Sequence, residues 1–364
     1  MIDRADVRLR PTVAWRASLV VLAILLVDCG APDSSIERTK AAESAPFTIL
    51  WAGDTLLADA AQPLLDREGY LAPFAHLAPL PVADYVIANL EGPVTTRTTP
   101  WDPDQRWSYH GLPPAAEAPA AEALATIGID AVSLANNHTL DRGPEGLADT
   151  IRTLGAAAVA TFGAGANQYE AAAPLLIETP YGIVAVVGFG EDSSPARLAS
   201  RTTPGSLVPS YSAVQRGRDL GRAAGARWLV AFVHWGTNYR TIDGEQRLWA
   251  QRFANAGYDL VVGHGPHLAQ PIEFVDGMPV FYSVGNFVFG TPGRYSDAAP
   301  GISLLVTTEL TQEGFRRATL TCLLTDNDEV AFRPRHCRET QAEAALGALH
   351  PEIQTSDGTT SLSW

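Results

Sequence analysis

Short apolar runs alternate with longer amphipathic stretches along most of this chain. "FTILWAG", "DYVIANLEG", "IDAVSLANN", "GIVAVVGFG", "ARWLVAFVHWG", "YDLVVGHG" and "MPVFYSVGNFVFG" are almost continuously apolar until their last residues. That pattern predicts strands buried on both faces. Between them, "APAAEALATIG", "GPEGLADTIRTLGAAA" and "GEQRLWAQRFANAG" carry apolar residues at helical spacing. Pro144 near the start and Gly155 near the end of the second stretch fit the usual asymmetry of helix ends. The alternation predicts an α/β domain whose sheet faces are covered by helices. The last fifty or so residues differ. "GISLLVTTEL", "ATLTCLLT" and "EVAFRPRHC" read as antiparallel strands that extend a sheet and complete the domain. There is no internal repeat.

The strands stop in polar residues. "ILWAGD" ends in Asp54, "VIANLEG" in Asn89 and Glu91, and "VSLANNH" in Asn137 and His138. Downstream, "LVAFVH" ends in His234 and "LVVGHGPH" in His264 and His267. The carboxyl ends of strands in an open α/β sheet converge on one crevice, so these residues are expected to gather in space. Each motif alone has an ordinary structural explanation, such as a turn or a strand cap; the full ordered set does not. Carboxylates, imidazoles and an amide oxygen, with no thiolate, suit one or two divalent ions drawn from Mn, Zn, Fe or Mg. Two such ions about 3.5–4 Å apart can share a carboxylate, polarise an oxyanion and activate water. Their charge exceeds that of Asp54 and Glu91, so the pocket suits an anionic substrate.

Composition narrows the possibilities. The formal charge is −14, which disfavours nucleic acid as a partner because phosphate backbones call for clustered Lys and Arg. Arg4, Arg8, Arg10 and Arg16 precede the apolar run "ASLVVLAILLV", a secretory signal too short for an easy membrane span. "LLVDC" resembles a bacterial lipobox ending at Cys29, although Asp28 stands where a small residue is usual. Residues 1–29 are therefore expected to be a signal peptide. Lipidation of Cys29 and simple cleavage both remain open, so the protein is extracytoplasmic, either membrane-anchored or released. Residues 30–45 read as a flexible tether. Cys322 and Cys337 are the remaining cysteines, and export favours a disulfide between them.

The ordered motifs "GDTLL", "ANLEGPVT", "SLANNHTLDRGPEGLADTIRTLG", "FGAGANQYEA", "VHWGTNY", "GHGPHLAQPIE" and "FYSVGNFVF" resemble the CapA family of capsule-type poly-γ-glutamate biosynthesis proteins. That family lies within the calcineurin-like metallophosphoesterase superfamily. The resemblance covers roughly residues 47–290. It implies a metallophosphatase-like sandwich of two mixed β-sheets flanked by helices, spanning 46–310, with 311–364 as a C-terminal β extension and tail. It also implies metal ligands at Asp54, Glu91, Asn137, His234, His264 and His267, with Glu91 in the place of a bridging aspartate. His138 would be the general acid, supported by Asp141.

Three positions depart from the superfamily's pattern. Leu56 replaces a histidine, which leaves one metal position short of a ligand. The histidines of "GHGPH" are three apart rather than two, so His264 is expected to be displaced and His267 to be the firmer ligand. Asn238 stands where relatives often carry glutamate. Two functions follow. One is a metal-dependent hydrolase of phosphoester or γ-amide bonds, which the resemblance favours. The other is a non-catalytic subunit that binds an anionic polymer and assists its export. Membrane-bound components of a poly-γ-glutamate synthase are the implied partners.

Overall fold

The structure, a computed structural model, describes residues 45–102, 108–191, 197–356 and 358–364. The expected signal peptide, Cys29 and all but the last residue of the tether lie outside them.

Alternating side chains build two sheets that face each other. In the strand Phe47–Leu56, Ile49 and Trp51 point to one side and Leu50 and Ala52 to the other, as the two-residue period requires. Ile49 and Trp51 join Ile87, Ala131 and Phe162 against Val184, Val186, Val230, Phe232 and Val262 of the second sheet. Trp51 and Phe162 both lie close to Phe232, with ring centroids 5.9 and 6.1 Å away. Leu50 and Ala52 face the helices Gln62–Glu68, Glu117–Thr126 and Gly143–Ala156. On the far side of the second sheet, Val187, Leu229 and Val233 pack on Tyr211–Ala223 and Gly244–Ala256. The result is helix, sheet, sheet, helix: the flanked sandwich that the resemblance implies.

Among the described residues the first sheet has ten strands and the second six. Phe47–Leu56, Tyr85–Leu90, Ala131–Ser133 and Ala160–Phe162 run parallel in the first. Gly182–Gly190, Ala226–His234, Leu260–His264 and Met278–Phe281 run parallel in the second. The helix Gly244–Ala256 starts at a capping box made by Asp243 and Gln246 and stops at left-handed Gly257.

The C-terminal strands belong to the first sheet. Ile302–Thr311 pairs antiparallel with Phe47–Leu56, and Gly314–Leu324 returns beside it. Cys322 and Cys337 are joined by a disulfide.

Two strand expectations are corrected. "MPVFYSVGNFVFG" is not one strand: Met278–Phe281 pairs in the second sheet and Asn286–Phe289 in the first. The chain crosses over at Gly285, whose φ is +75°. A Cβ there would lie 2.4 Å from Ser303 Oγ and 2.9 Å from the Leu268 carbonyl carbon, so glycine alone fits. Nor is "EVAFRPRHC" a strand throughout. Asp326 caps the short helix Asn327–Val330, Ala331 and Phe332 are left-handed, and only Arg335–His336 pairs. An aspartate able to accept from the next turn's N–H outcompetes the strand here.

Candidate metal centre

The two sheets bring their carboxyl ends to one place. Asp54 is level with Asn89 on one neighbouring strand and Asn286 on the other. In the second sheet His264 is level with His234, and His234 with Gly190.

Asp54 is at the centre and fully buried. Its carboxylate accepts from Asn89 Nδ2 at 2.9 Å and from the Gly265 N–H at 3.0 Å, and lies 3.0 Å from His264 Nδ1. His267 Nδ1 lies 3.3 Å from the other Asp54 oxygen and 2.9 Å from Asn286 Oδ1. Around Glu91 Oε1 are His234 Nε2 at 3.4 Å, His138 Nε2 at 3.8 Å and His267 Nε2 at 3.9 Å. Two groups with metal-ligand geometry result: Asp54, His234 and His264; and Asp54, Glu91 and His267. Within each, one ligand atom per residue lies within 4.8 Å of the others. Asp54, rather than Glu91, is the carboxylate common to both groups.

His264 is not displaced. Both histidines of "GHGPH" meet Asp54 because Gly265 and His267 take left-handed backbone conformations, at φ +111° and +63°, which tighten the turn and compensate for the wider spacing. Leu56, by contrast, is buried in the apolar core with Leu57, Leu90 and Phe289, as its side chain dictates.

Whether these residues fit a cation can be judged from their unused atoms. Glu91 Oε2, Asn137 Oδ1 and His264 Nε2 are buried with no hydrogen-bond partner among the described residues. A buried polar atom left unpaired costs roughly 1–3 kcal/mol. Two of these atoms, on Glu91 and His264, belong to the carboxylate–histidine groups themselves and fit a bound divalent ion.

Burial and then the negative charge of Asp54 push the Glu91 carboxyl up to about 8. Burial also opposes ionisation of Asp54, but its hydrogen bonds with His264 and His267 outweigh this and hold it well below the usual carboxylate range. For His267, burial disfavours the cation, yet the charge of Glu91 and the bond to Asp54 raise it to about 9. Burial lowers His264.

Beside this cluster His138 is held from behind. Its Nδ1 lies 2.7 Å from Asp141 Oδ2, which assigns the Nδ1 proton and turns Nε2 toward Glu91. Asn136 Oδ1 accepts the His138 N–H at 3.0 Å. Asn136 Nδ2 donates to Asn89 Oδ1 at 3.1 Å and to the Leu90 carbonyl at 2.8 Å. A relay of amides thus links the His138 turn to Asp54. The Asn137 carbonyl accepts from Arg197 Nη1 at 3.1 Å.

Sequence reading missed three residues here. Tyr109 lies over the His138 ring, centroids 4.1 Å apart, and its N–H donates to Asp141 at 2.6 Å. Arg142 holds that segment by donating to the Tyr109 carbonyl at 2.9 and 2.6 Å. Asn286 braces His267. Of these, Asn286 alone left a trace, as a polar residue inside the apolar run "YSVGNFVF".

Residues 48–291 match the family described as bacterial capsule synthesis protein PGA_cap. The chain belongs to that family. It is 26% identical over 280 residues to the PGA biosynthesis protein CapA of Bacillus subtilis, covering 74% of this chain and 70% of that one. The capsule biosynthesis protein CapA of Bacillus anthracis is 28% identical over 284 residues, covering 74% and 67%. A probable polyglutamine synthesis accessory protein of Mycobacterium tuberculosis is 33% identical over 183 residues, covering 46% and 47%. Among solved structures, a phosphatase of Mycoplasma pneumoniae superposes with a TM-score of 0.49 at 14% identity, covering 77% of this chain and 94% of that one. Likeness at that level carries no argument about activity.

Proposed function

We propose that this PGA_cap protein is a metal-dependent hydrolase of capsule-polymer synthesis, working outside the cytoplasm on an anionic phosphoester or γ-amide. The observation that carries the reading is the pair of carboxylate–histidine groups sharing Asp54, with unpaired buried atoms on Glu91 and His264. Asp54, Glu91, His234, His264 and His267 hold one or two divalent ions, with Asn137 Oδ1 as an amide ligand. The donor set suits Mn, Zn, Fe or Mg. A bound ion supplies Lewis-acid stabilisation of charge developing on the scissile group. The chain's own residues do the rest. His138 gives a proton from Nε2 to the leaving group, and Asp141 orients the ring. Export rests on the basic and apolar N-terminus, with Cys29 as lipid anchor. Lack of palmitate labelling at Cys29 in the producing bacterium would remove the anchor from this reading.

One observation favours a second reading, a polymer-binding subunit without turnover: Leu56 is core where the superfamily has a histidine. His138→Asn separates the two. For the hydrolase, metal content and folding stay as in the wild type while turnover falls about 10²–10⁴-fold, the worth of a general acid. For the subunit, polymer yield in a complemented deletion strain is unchanged by the substitution.

A further inference from the structure

Arg142 is buried although its side chain carries a full charge. Arginine is seldom buried without a charged partner. Among the described residues, however, this guanidinium gives its hydrogen bonds to neutral groups. Nε and Nη2 both donate to the Tyr109 carbonyl, at 2.9 and 2.6 Å. Nη1 donates to the Thr98 carbonyl at 3.1 Å, and Nη2 also to the Ser108 hydroxyl at 3.4 Å. All three acceptors lie on one stretch of chain, between residues 98 and 109.

Asp141, the preceding residue, grips the same stretch. Its carboxylate accepts the Tyr109 N–H at 2.6 Å, and its backbone carbonyl accepts the Trp101 N–H at 3.1 Å. Tyr109 is therefore held on both sides, its N–H by Asp141 and its carbonyl by Arg142. Both grips start from a rigid base. Arg142 is the N-cap residue of the helix Gly143–Ala156, which is buried along Leu147, Thr150 and Leu154. The result is felt at His138. The Tyr109 ring lies over the imidazole, centroids 4.1 Å apart, and Phe289 meets Tyr109 edge-on at 6.0 Å. His138 is thus fixed at its Nδ1 edge by Asp141 and on one face by Tyr109.

We infer that Arg142 is a positioning residue for His138: its guanidinium fork, acting through Tyr109, keeps the imidazole covered and its Nε2 turned toward Glu91. The shape of the group does this, not its charge. A lysine ammonium is a point charge on a flexible stem and cannot place two donors on one carbonyl and a third on another. The consequence for turnover rests on the hydrolase proposed above; the consequence for the ring does not.

The test is the low-field proton NMR spectrum of the purified full chain, zinc-loaded and chelator-treated, with circular dichroism and metal content measured on each variant. The His138 Nδ1 proton is bonded to a buried carboxylate and shielded from water by Tyr109, so wild type shows a low-field resonance that His138→Asn removes. Arg142→Gln and Arg142→Lys both broaden or abolish it, while fold and metal content stay as in wild type. Tyr109→Ala, which keeps Arg142 but uncovers the ring, broadens it too and decides the matter if the Arg142 variants fail to fold. With p-nitrophenyl phosphate as probe, kcat of the Arg142 variants falls by up to about 10²-fold, as for a misplaced catalytic group, with KM little changed. Absence of the wild-type resonance, an unchanged resonance in Arg142→Gln or Tyr109→Ala, or its full retention in Arg142→Lys overturns the inference. A wild type without turnover contradicts the hydrolase alone, and the resonance still decides the role of Arg142.

Discussion

Asn286 shows how a residue can matter to this centre without being a candidate ligand. Its Oδ1 lies 2.9 Å from His267 Nδ1, and its Nδ2 donates to the Tyr295 hydroxyl at 2.9 Å. That bracing fixes the ring so that Nε2 is turned toward Glu91. Asn286→Ala removes the brace and leaves the first contacts in place, so metal affinity falls about 10–100-fold, as for other partners behind a metal ligand. A titration with metal ions under chelator competition reads it, and an unchanged constant would make Asn286 a purely structural residue. The candidate ligands were legible because they are polar tips on apolar runs. Tyr109 and Arg142 were not, because their role depends on which loop folds over His138, and nothing local in "RWSYHG" encodes that.

At the scale of elements, the helices were legible because caps and periodicity agree, as at Asp243 and Gly257. The strands of the core were legible as apolar runs. What the runs conceal is which sheet a strand joins. "MPVFYSVGNFVFG" is apolar on both sides of Gly285 since both halves are buried, so the crossover leaves no change of pattern. Its position matters for the site: the Asp54 N–H donates to the Gly285 carbonyl at 3.0 Å, and Asn286 follows at once. Gly285→Ala forces a Cβ into Ser303 and a side chain into a left-handed backbone. The backbone alone costs about 1–3 kcal/mol, and the clash adds to it. The urea midpoint drops accordingly; a variant as stable as wild type would mean that the crossover can relax, contrary to the packing described here. The "GHGPH" turn carries the same lesson. Spacing alone displaced His264, and the left-handed turn brought it back.

For the whole molecule, the charge of −14 and the chemistry of the site pull in different directions. Glu91, raised to about 8, and His267, raised to about 9, hold protons in the metal-free state. A metal ion must displace those protons to reach the lone pairs. Apparent metal affinity therefore rises with pH through about 8 to 9 and falls below it. Proton release on metal addition in weakly buffered solution checks the sign; uptake, or no dependence on pH, would contradict it.

In the function proposed here, the strand tips of both sheets form one metal centre around Asp54. Elemental analysis of the protein purified without chelator, beside an Asp54→Asn and Glu91→Gln double variant, tests it most directly. The wild-type chain carries one or two divalent ions, and the double variant loses most of that metal while still folding by circular dichroism. A wild-type chain without stoichiometric metal, even after incubation with Mn²⁺ or Zn²⁺, would contradict it.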